Sequence, residues 1–69
     1  MSKGDMKLAR NMRRLMAERG WSAKRMTYEA DVSKSTVDYL LNGQRGATLA
    51  MLRKIRSALG CTWDELLGY

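Results

Sequence analysis

Two short helical patterns, separated by a polar turn, occupy residues 22–43 and constrain the fold of this chain more than any other feature. In both patterns, apolar residues recur at the spacing of one helical turn. These residues are Met26, Ala30, Val37, Leu40 and Leu41. Each segment is therefore predicted to bury a single stripe, which leaves the opposite face of the second helix exposed.

The residues around the second helix of this pair, which is the third helix of the chain, mark where it begins and ends. Ser33 is predicted to be the N-cap of a helix that starts at Lys34, because its hydroxyl can accept a hydrogen bond from a free backbone N–H. Asn42 and Gly43 form a stop signal at the other end. Ser22 is predicted to cap the first helix in the same way.

Three more helical patterns flank this pair. The first is predicted to begin near Asp5 as an N-cap and to end at Gly20, the fourth to cover residues 48–59, and the fifth to follow a cap at Thr62. Their predicted buried residues are Leu8, Met12, Leu15, Met16, Leu49, Leu52, Ile55, Leu59, Leu66 and Leu67. We predict an all-α, compact five-helix bundle: one domain over residues 1–69, with residues 1–5 as a flexible arm.

Composition narrows the range of functions. The 69 residues include one cysteine and no histidine, so the sequence predicts no disulfide framework, no metal site, no cofactor and no enzyme activity. Cys61, Trp21 and Trp63 are interpreted as core residues. No apolar run is long enough for a membrane span and no signal-peptide core is present, so an intracellular, cytoplasmic protein is expected.

The chain is strongly basic. Thirteen Lys and Arg residues against seven Asp and Glu give a net charge of +6, and the sequence pI is about 10.0. Such a charge favours a polyanionic partner, with nucleic acid as the first candidate. Solubility alone is the alternative explanation, and the helix-turn-helix pattern argues against it.

Two sets of residues match the pattern of a known family. Those in the helix-turn-helix are Val32, Ser33, Ser35, Thr36, Val37, Leu40, Leu41, Asn42 and Gly43. Those in the later helices are Leu49, Leu52, Ile55, Ala58, Leu59, Gly60, Cys61, Asp64, Glu65, Leu66 and Leu67. In these residues the chain resembles the lambda-repressor-like family of Cro/C1-type helix-turn-helix DNA-binding domains over nearly its whole length. The resemblance implies that helices 2 and 3 form a DNA-binding helix-turn-helix.

The resemblance also implies which side chains touch DNA. Base-reading positions in the major groove fall on Lys34, Ser35, Thr36 and Tyr39. Phosphate-binding positions are predicted to be Ser33, Asn42, Gln44, Arg45, Lys24 and Arg14. The alternative is that these residues are only helix-start residues and solvated charges; for the arginines of helix 1, including Arg14, the two interpretations carry equal weight.

One residue of helix 3 does not fit a simple cationic interface. Asp38 is a carboxylate that phosphates repel, unless it accepts a hydrogen bond from cytosine N4 or braces a neighbouring arginine. Both alternatives are compatible with the sequence. Asp38 is therefore a candidate selectivity element.

Three positions depart from the family pattern. Ala23 stands where the family commonly has a glutamine that touches phosphate, Thr27 replaces an alanine where the two helices cross, and Asp31 replaces the glycine of the turn. Asp31 can adopt the left-handed conformation that this turn needs, since Asp visits it more readily than most residues do.

Two functional hypotheses from different classes follow. The first is a transcriptional regulator of bacterial or phage type, a repressor that binds double-stranded operator DNA as a homodimer, without a small-molecule substrate. The second is a protein-interaction module, antitoxin-like or a co-regulator, that presents Trp63 or Tyr69 to a partner and binds DNA only nonspecifically. A purely nonspecific nucleic-acid binder would show a steep salt dependence without a sequence preference.

Overall fold

The fold consists of five α-helices in the part of the chain that the structure describes. The structure is a computed structural model that describes the backbone of residues 3–43 and 47–68, and side chains from residue 6 onward within those ranges. The helices are α1 (Lys3–Arg19), α2 (Ala23–Ala30), α3 (Lys34–Leu41), α4 (Leu49–Leu59) and α5 (Trp63–Leu67). The all-α, five-helix prediction is confirmed.

Helix α1 packs on both α3 and α5. Its predicted stripe of Leu8, Met12, Leu15 and Met16 is buried, with Met12 fully excluded from solvent. Helix α2 packs on α3 and α4. The α1 stripe is thus one wall of a core that all five helices share.

The beginning of α1 differs from the prediction. The helix starts at Lys3, so Asp5 lies inside the first turn instead of at the N-cap, and residues 3–5 belong to the helix. Aspartate is favoured both at the N-cap and in the first turn, where it interacts with the positive end of the helix dipole. The residue type alone therefore could not distinguish these positions.

The helix-turn-helix follows the predicted boundaries. The Ser22 hydroxyl accepts a hydrogen bond from the Arg25 N–H at 3.2 Å and caps α2. Asp31 ends that helix with φ 56° and ψ 49°, the left-handed conformation predicted for it. Ser33 is extended, with φ −73° and ψ 157°, and caps α3.

Thr27 is accommodated by hydrogen bonds within α2 and its C-cap. Its hydroxyl donates to the Ala23 carbonyl at 3.0 Å, and its own carbonyl accepts from the Asp31 N–H. The polar group that replaces alanine is therefore satisfied within α2. This departure from the family pattern leaves the helix intact.

The buried face of α4 differs from the prediction at one residue. Ile55 and Leu59 are buried and Leu52 packs partly against the core, but Leu49 is 57% exposed. A helix advances about 100° per residue, which puts Leu49 about 120° around the axis from Ile55, whereas Met51 lies within about 40° of it. Met51, not Leu49, completes the inward face.

Helix α5 packs on α1 and contributes Leu66 to the core. Thr62 and Glu65 form a capping box, in which the Thr62 hydroxyl accepts from the Glu65 N–H and the Glu65 carboxylate accepts from the Thr62 N–H. Leu66 is fully buried, and Trp63 packs partly against the core with the Arg56 guanidinium 5.0 Å from its ring centroid. Tyr69 lies outside the described residues.

Cys61 is buried between α4 and α5, as predicted for a small core residue. Burial raises the pKa of its thiol, and the nearby Glu65 carboxylate adds to that rise.

Among the described residues, no helix combines the length and apolar character that crossing a membrane would require.

Gly43, which follows α3, lies close to Met6 of α1. Its φ is +74°, and a Cβ at this position would collide with the Met6 sulfur of α1. Met6 is 53% exposed, so its thioether has room to move away. We expect Gly43→Ala to lower the free energy of unfolding by about 1–2 kcal/mol through backbone strain, and to move the Met6 methyl signal in an NMR spectrum.

Gly60→Ala is the matched control for Gly43→Ala. Gly60 has φ +64°, but apart from its two chain neighbours no residue comes within 4 Å of a Cβ built there. It should cost a similar amount in chemical denaturation, about 1–2 kcal/mol, and leave the Met6 signal in place. A Met6 signal unchanged in Gly43→Ala would contradict the close approach.

Candidate nucleic-acid interface

Helix α3 has one face buried in the core and the opposite face exposed to solvent. Val37 and Leu40 have 0% and 1% exposure and anchor the helix in the core. Lys34 and Ser35 are exposed at its N-terminal end, and Tyr39 is 37% exposed one turn further on. Three of the four predicted base-reading side chains thus have solvent access on one short helix.

Thr36, the fourth predicted base-reading residue, is half-buried. Its hydroxyl lies 2.8 Å from the Ser33 hydroxyl, and its backbone N–H donates to the same Ser33 oxygen at 3.1 Å. The Ser33 hydroxyl therefore serves first as the cap of α3. Phosphate contact by Ser33 and base contact by Thr36 stay predictions.

Lys34 and Asp38 form an ion pair on this face. The Lys34 ammonium donates to Asp38 Oδ2 at 3.1 Å, and the two side chains are 62% and 48% exposed. The sequence predicted that Asp38 would brace a neighbouring arginine or accept from cytosine N4. Its partner in the structure is a lysine, and acceptance from cytosine N4 stays a prediction. Lys34, the one charged residue among the four base-reading candidates, is thus paired within its own helix.

The predicted phosphate-binding residues lie in several parts of the chain. Asn42 is exposed at its C-cap, where its backbone N–H donates to the Asp38 carbonyl at 3.0 Å. Lys24 is exposed in the first turn of α2. Gln44 and Arg45 lie outside the described residues.

Arg14 contacts another part of the bundle. Its guanidinium donates to the Glu18 carboxylate at 3.2 Å and to the Glu65 carbonyl of α5 at 3.4 Å. Both contacts place its guanidinium where α1 meets α5. Phosphate binding by Arg14 stays a prediction, and it requires these contacts to be exchanged.

Arg13, one residue earlier, is the arginine of α1 that contacts α3. Its guanidinium donates to the Leu41 carbonyl at 3.0 Å, at the C-terminal end of α3. Arg10 lies one turn before it, and both line a groove with Leu41 and Asn42. From sequence, phosphate contact and a solvated charge carry equal weight for Arg13, as for the other α1 arginines, because the α1 pattern does not say which neighbouring helix each side of α1 meets.

The remaining contacts of the arginines near α1 and α2 are structural. Arg19 donates to the Leu59 carbonyl and to the Leu15 carbonyl, each at 2.8 Å, and so joins the ends of α1 and α4. The Arg25 guanidinium lies 5.3 Å from the Trp21 ring centroid and donates to the Glu29 carboxylate at 2.6 Å. Trp21 itself packs partly against the core, as predicted.

Ala23 lies where the family pattern has a phosphate-contacting glutamine. It is half-buried and lines a shallow groove with Arg13, Trp21 and Leu41. A methyl group cannot donate to a phosphate, so any contact at this point must come from backbone N–H groups or from neighbouring cations.

Among the described residues, no group of three or more His, Cys, Asp and Glu side chains could hold a metal ion.

Comparison with known proteins gives one match. A family model described as Cro/C1-type HTH DNA-binding domain matches residues 11–69, which include every residue of the helix-turn-helix. No curated protein matches the chain. No solved structure matches it either.

Proposed function

The chain belongs to the Cro/C1-type helix-turn-helix DNA-binding domain family, and we propose that it is a sequence-specific transcriptional regulator that reads double-stranded DNA with α3. The observation that carries the proposal is the geometry of this helix. Val37 and Leu40 fix one side of α3 in the core, while Lys34, Ser35 and Tyr39 stay accessible on the rest of its surface.

Each accessible side chain has chemistry suited to base edges. Lys34 can donate to guanine O6 or N7, and the Ser35 hydroxyl can donate or accept. Tyr39 can reach a base edge or a phosphate with its phenol. The Thr36 hydroxyl is hydrogen-bonded to Ser33, so its methyl group is the part that can contact the methyl group of thymine.

Phosphate contacts position the helix in the groove. Among the described residues, Asn42 is the C-cap of α3, Arg13 donates to the Leu41 carbonyl at the same end, and Lys24 is exposed at the start of α2. The predicted contacts of Gln44 and Arg45 follow α3 in the chain. The net charge of +6 supports this role, because cations that neutralise phosphates release counterions and thereby drive binding. Ser33 and Arg14 belong to the same proposed set.

The finer proposal is a repressor of bacterial or phage type that acts in the cytoplasm. It binds an operator as a homodimer, on a site with two-fold symmetry, and occludes RNA polymerase. Two copies related by a two-fold axis present two α3 helices to successive turns of the major groove on one side of the duplex. The family resemblance of the helix-turn-helix and of the α5 region supports this arrangement.

A protein-interaction role is the second candidate. Tyr28 on α2 is 82% exposed and Leu49 on α4 is 57% exposed, and large apolar or aromatic side chains at such exposure suit contact with another protein. This role predicts weak DNA binding without a sequence preference.

Selection from a randomised duplex DNA pool at near-physiological salt, followed by sequencing of the bound fraction, tests the proposal. An enriched inverted repeat is the result expected for a sequence-specific dimer, whereas a single half-site would indicate a monomeric reader. Bound DNA without an enriched motif would contradict sequence-specific reading by α3. Failure to bind any duplex would favour the protein-interaction role.

A further inference from the structure

The Lys34–Asp38 ion pair presents a donor and an acceptor side by side on the accessible surface of α3. These are the only charged residues of this helix, and Lys34 Nζ lies 3.1 Å from Asp38 Oδ2. We propose that the pair reads one G·C base pair as a unit, with Lys34 donating to guanine O6 and N7 while Asp38 accepts from cytosine N4. The inference rests on the proposed function, because it requires α3 to lie in the major groove.

The position of Asp38 on the helix supports a groove-facing role. At about 100° per residue, Asp38 lies about 40° around the axis from Lys34 and about 60° from Ser35, between two exposed positions. Leu40, which is 1% exposed, is about 160° away from Asp38. Asp38 is therefore at least as well directed toward a ligand as Lys34.

The spacing of the two charged groups fits the edge of a base pair. In G·C, guanine O6 and cytosine N4 are joined by a Watson–Crick hydrogen bond, so they lie about 2.9 Å apart. The 3.1 Å between Lys34 Nζ and Asp38 Oδ2 is nearly the same. A donor placed over O6 therefore leaves the carboxylate over the N4 amino group, and the ion pair is kept while both base contacts form.

This arrangement also predicts which base pairs are rejected. Reversal to C·G would face the ammonium with an amino group and the carboxylate with a carbonyl oxygen, and A·T presents the same unfavourable order. T·A has the favourable order of carbonyl oxygen and amino group, but its carbonyl base offers a methyl group where guanine offers N7. G·C is therefore preferred, T·A is second, and the two reversed pairs are excluded.

Helix stability does not account for the pair. Both side chains are about half exposed or more, and the lysine precedes the aspartate, which is the less favourable order for a pair four residues apart. Near phosphates the Asp38 carboxylate opposes binding to every sequence. A base pair whose amino group satisfies the carboxylate offsets that opposition, so Asp38 sharpens discrimination at the expense of general affinity.

Two substitutions of Asp38 test the inference in the same randomised-pool selection. Asp38→Asn keeps the shape of the side chain but gives it a donor and an acceptor, a combination that suits adenine N6 and N7. The preferred pair at one position should change from G·C to T·A, with a shift in relative enrichment of roughly tenfold or more. Asp38→Ala should reduce discrimination between G·C and C·G at that position by roughly tenfold.

Asp64→Asn is the control, because it removes the same charge from an exposed position on α5. It should leave the preference at that position unchanged. If both Asp38 variants enriched the wild-type motif unaltered, the ion pair would not read a base pair, while α3 could still be the reader. If the wild-type chain enriched no motif, the proposed function would fail, and this inference with it.

Discussion

Leu40→Ala is expected to lower the free energy of unfolding by about 2–5 kcal/mol, the range for truncating a buried leucine. Leu40 is 1% exposed and belongs to the core shared by all five helices. A domain of 69 residues has a total stability of only about 3–10 kcal/mol. The substitution should therefore remove a large fraction of the stability, as measured by urea unfolding followed by circular dichroism.

Leu49→Ala makes the same chemical change at a position with 57% exposure. Its expected effect is within about 0.5 kcal/mol, since truncation of a surface side chain leaves no cavity. Equal losses for Leu40→Ala and Leu49→Ala would contradict the orientation of α4 or that of α3. The comparison thus tests the one buried stripe that the sequence pattern assigned incorrectly.

Lys34→Ala is expected to weaken binding to the selected DNA site by about 1–3 kcal/mol and to relax the preference at one base pair. The substitution removes the proposed donor to guanine and leaves the Asp38 carboxylate without the lysine that it pairs with. Fluorescence anisotropy with the selected duplex and with single-base variants measures both effects at a fixed salt concentration.

Lys54→Ala is the matched control for Lys34→Ala. Lys54 is exposed on α4, in a groove beside Glu29 and Asp31, so its loss removes one positive charge away from α3. It should weaken binding much less and leave the base preference intact. If Lys34→Ala reduced affinity equally for the selected site and for random DNA, Lys34 would be a general electrostatic contact and not a base reader.

The helix-turn-helix could be predicted from sequence because its signals are local. Ser22 and Ser33 cap their helices as predicted, and Asp31 takes the left-handed conformation that its residue type permits. The buried stripes of α2 and α3 followed from spacing alone, because each helix has only eight residues and one apolar face. These features depend on neighbours within four positions in the chain.

What could not be predicted depends on packing between distant segments. The first leucine of α4 fits the i, i+3 pattern, yet it lies too far around the helix from Ile55 to be buried. Arg13 and Arg14 are adjacent in sequence, but one reaches the end of α3 and the other reaches α5. No periodicity of α1 indicates which helix packs on which side.

Within the candidate interface, the sequence indicated which residues α3 presents but not how they are paired. The same four-residue spacing that makes Lys34 and Asp38 neighbours is compatible with either separate or joint use of their charges. Their distance of 3.1 Å favours joint use. The engagement of Thr36 with Ser33 likewise depends on rotamers that a sequence pattern does not specify.

The most direct test of α3 as the DNA-contacting helix is an NMR titration of the ¹⁵N-labelled chain with a duplex that carries the selected motif. The account predicts that the largest backbone amide shifts fall on residues 33–42, with smaller shifts at the start of α2. Shifts concentrated instead on α5 and the exposed part of α4, with those of α3 unchanged, would contradict it.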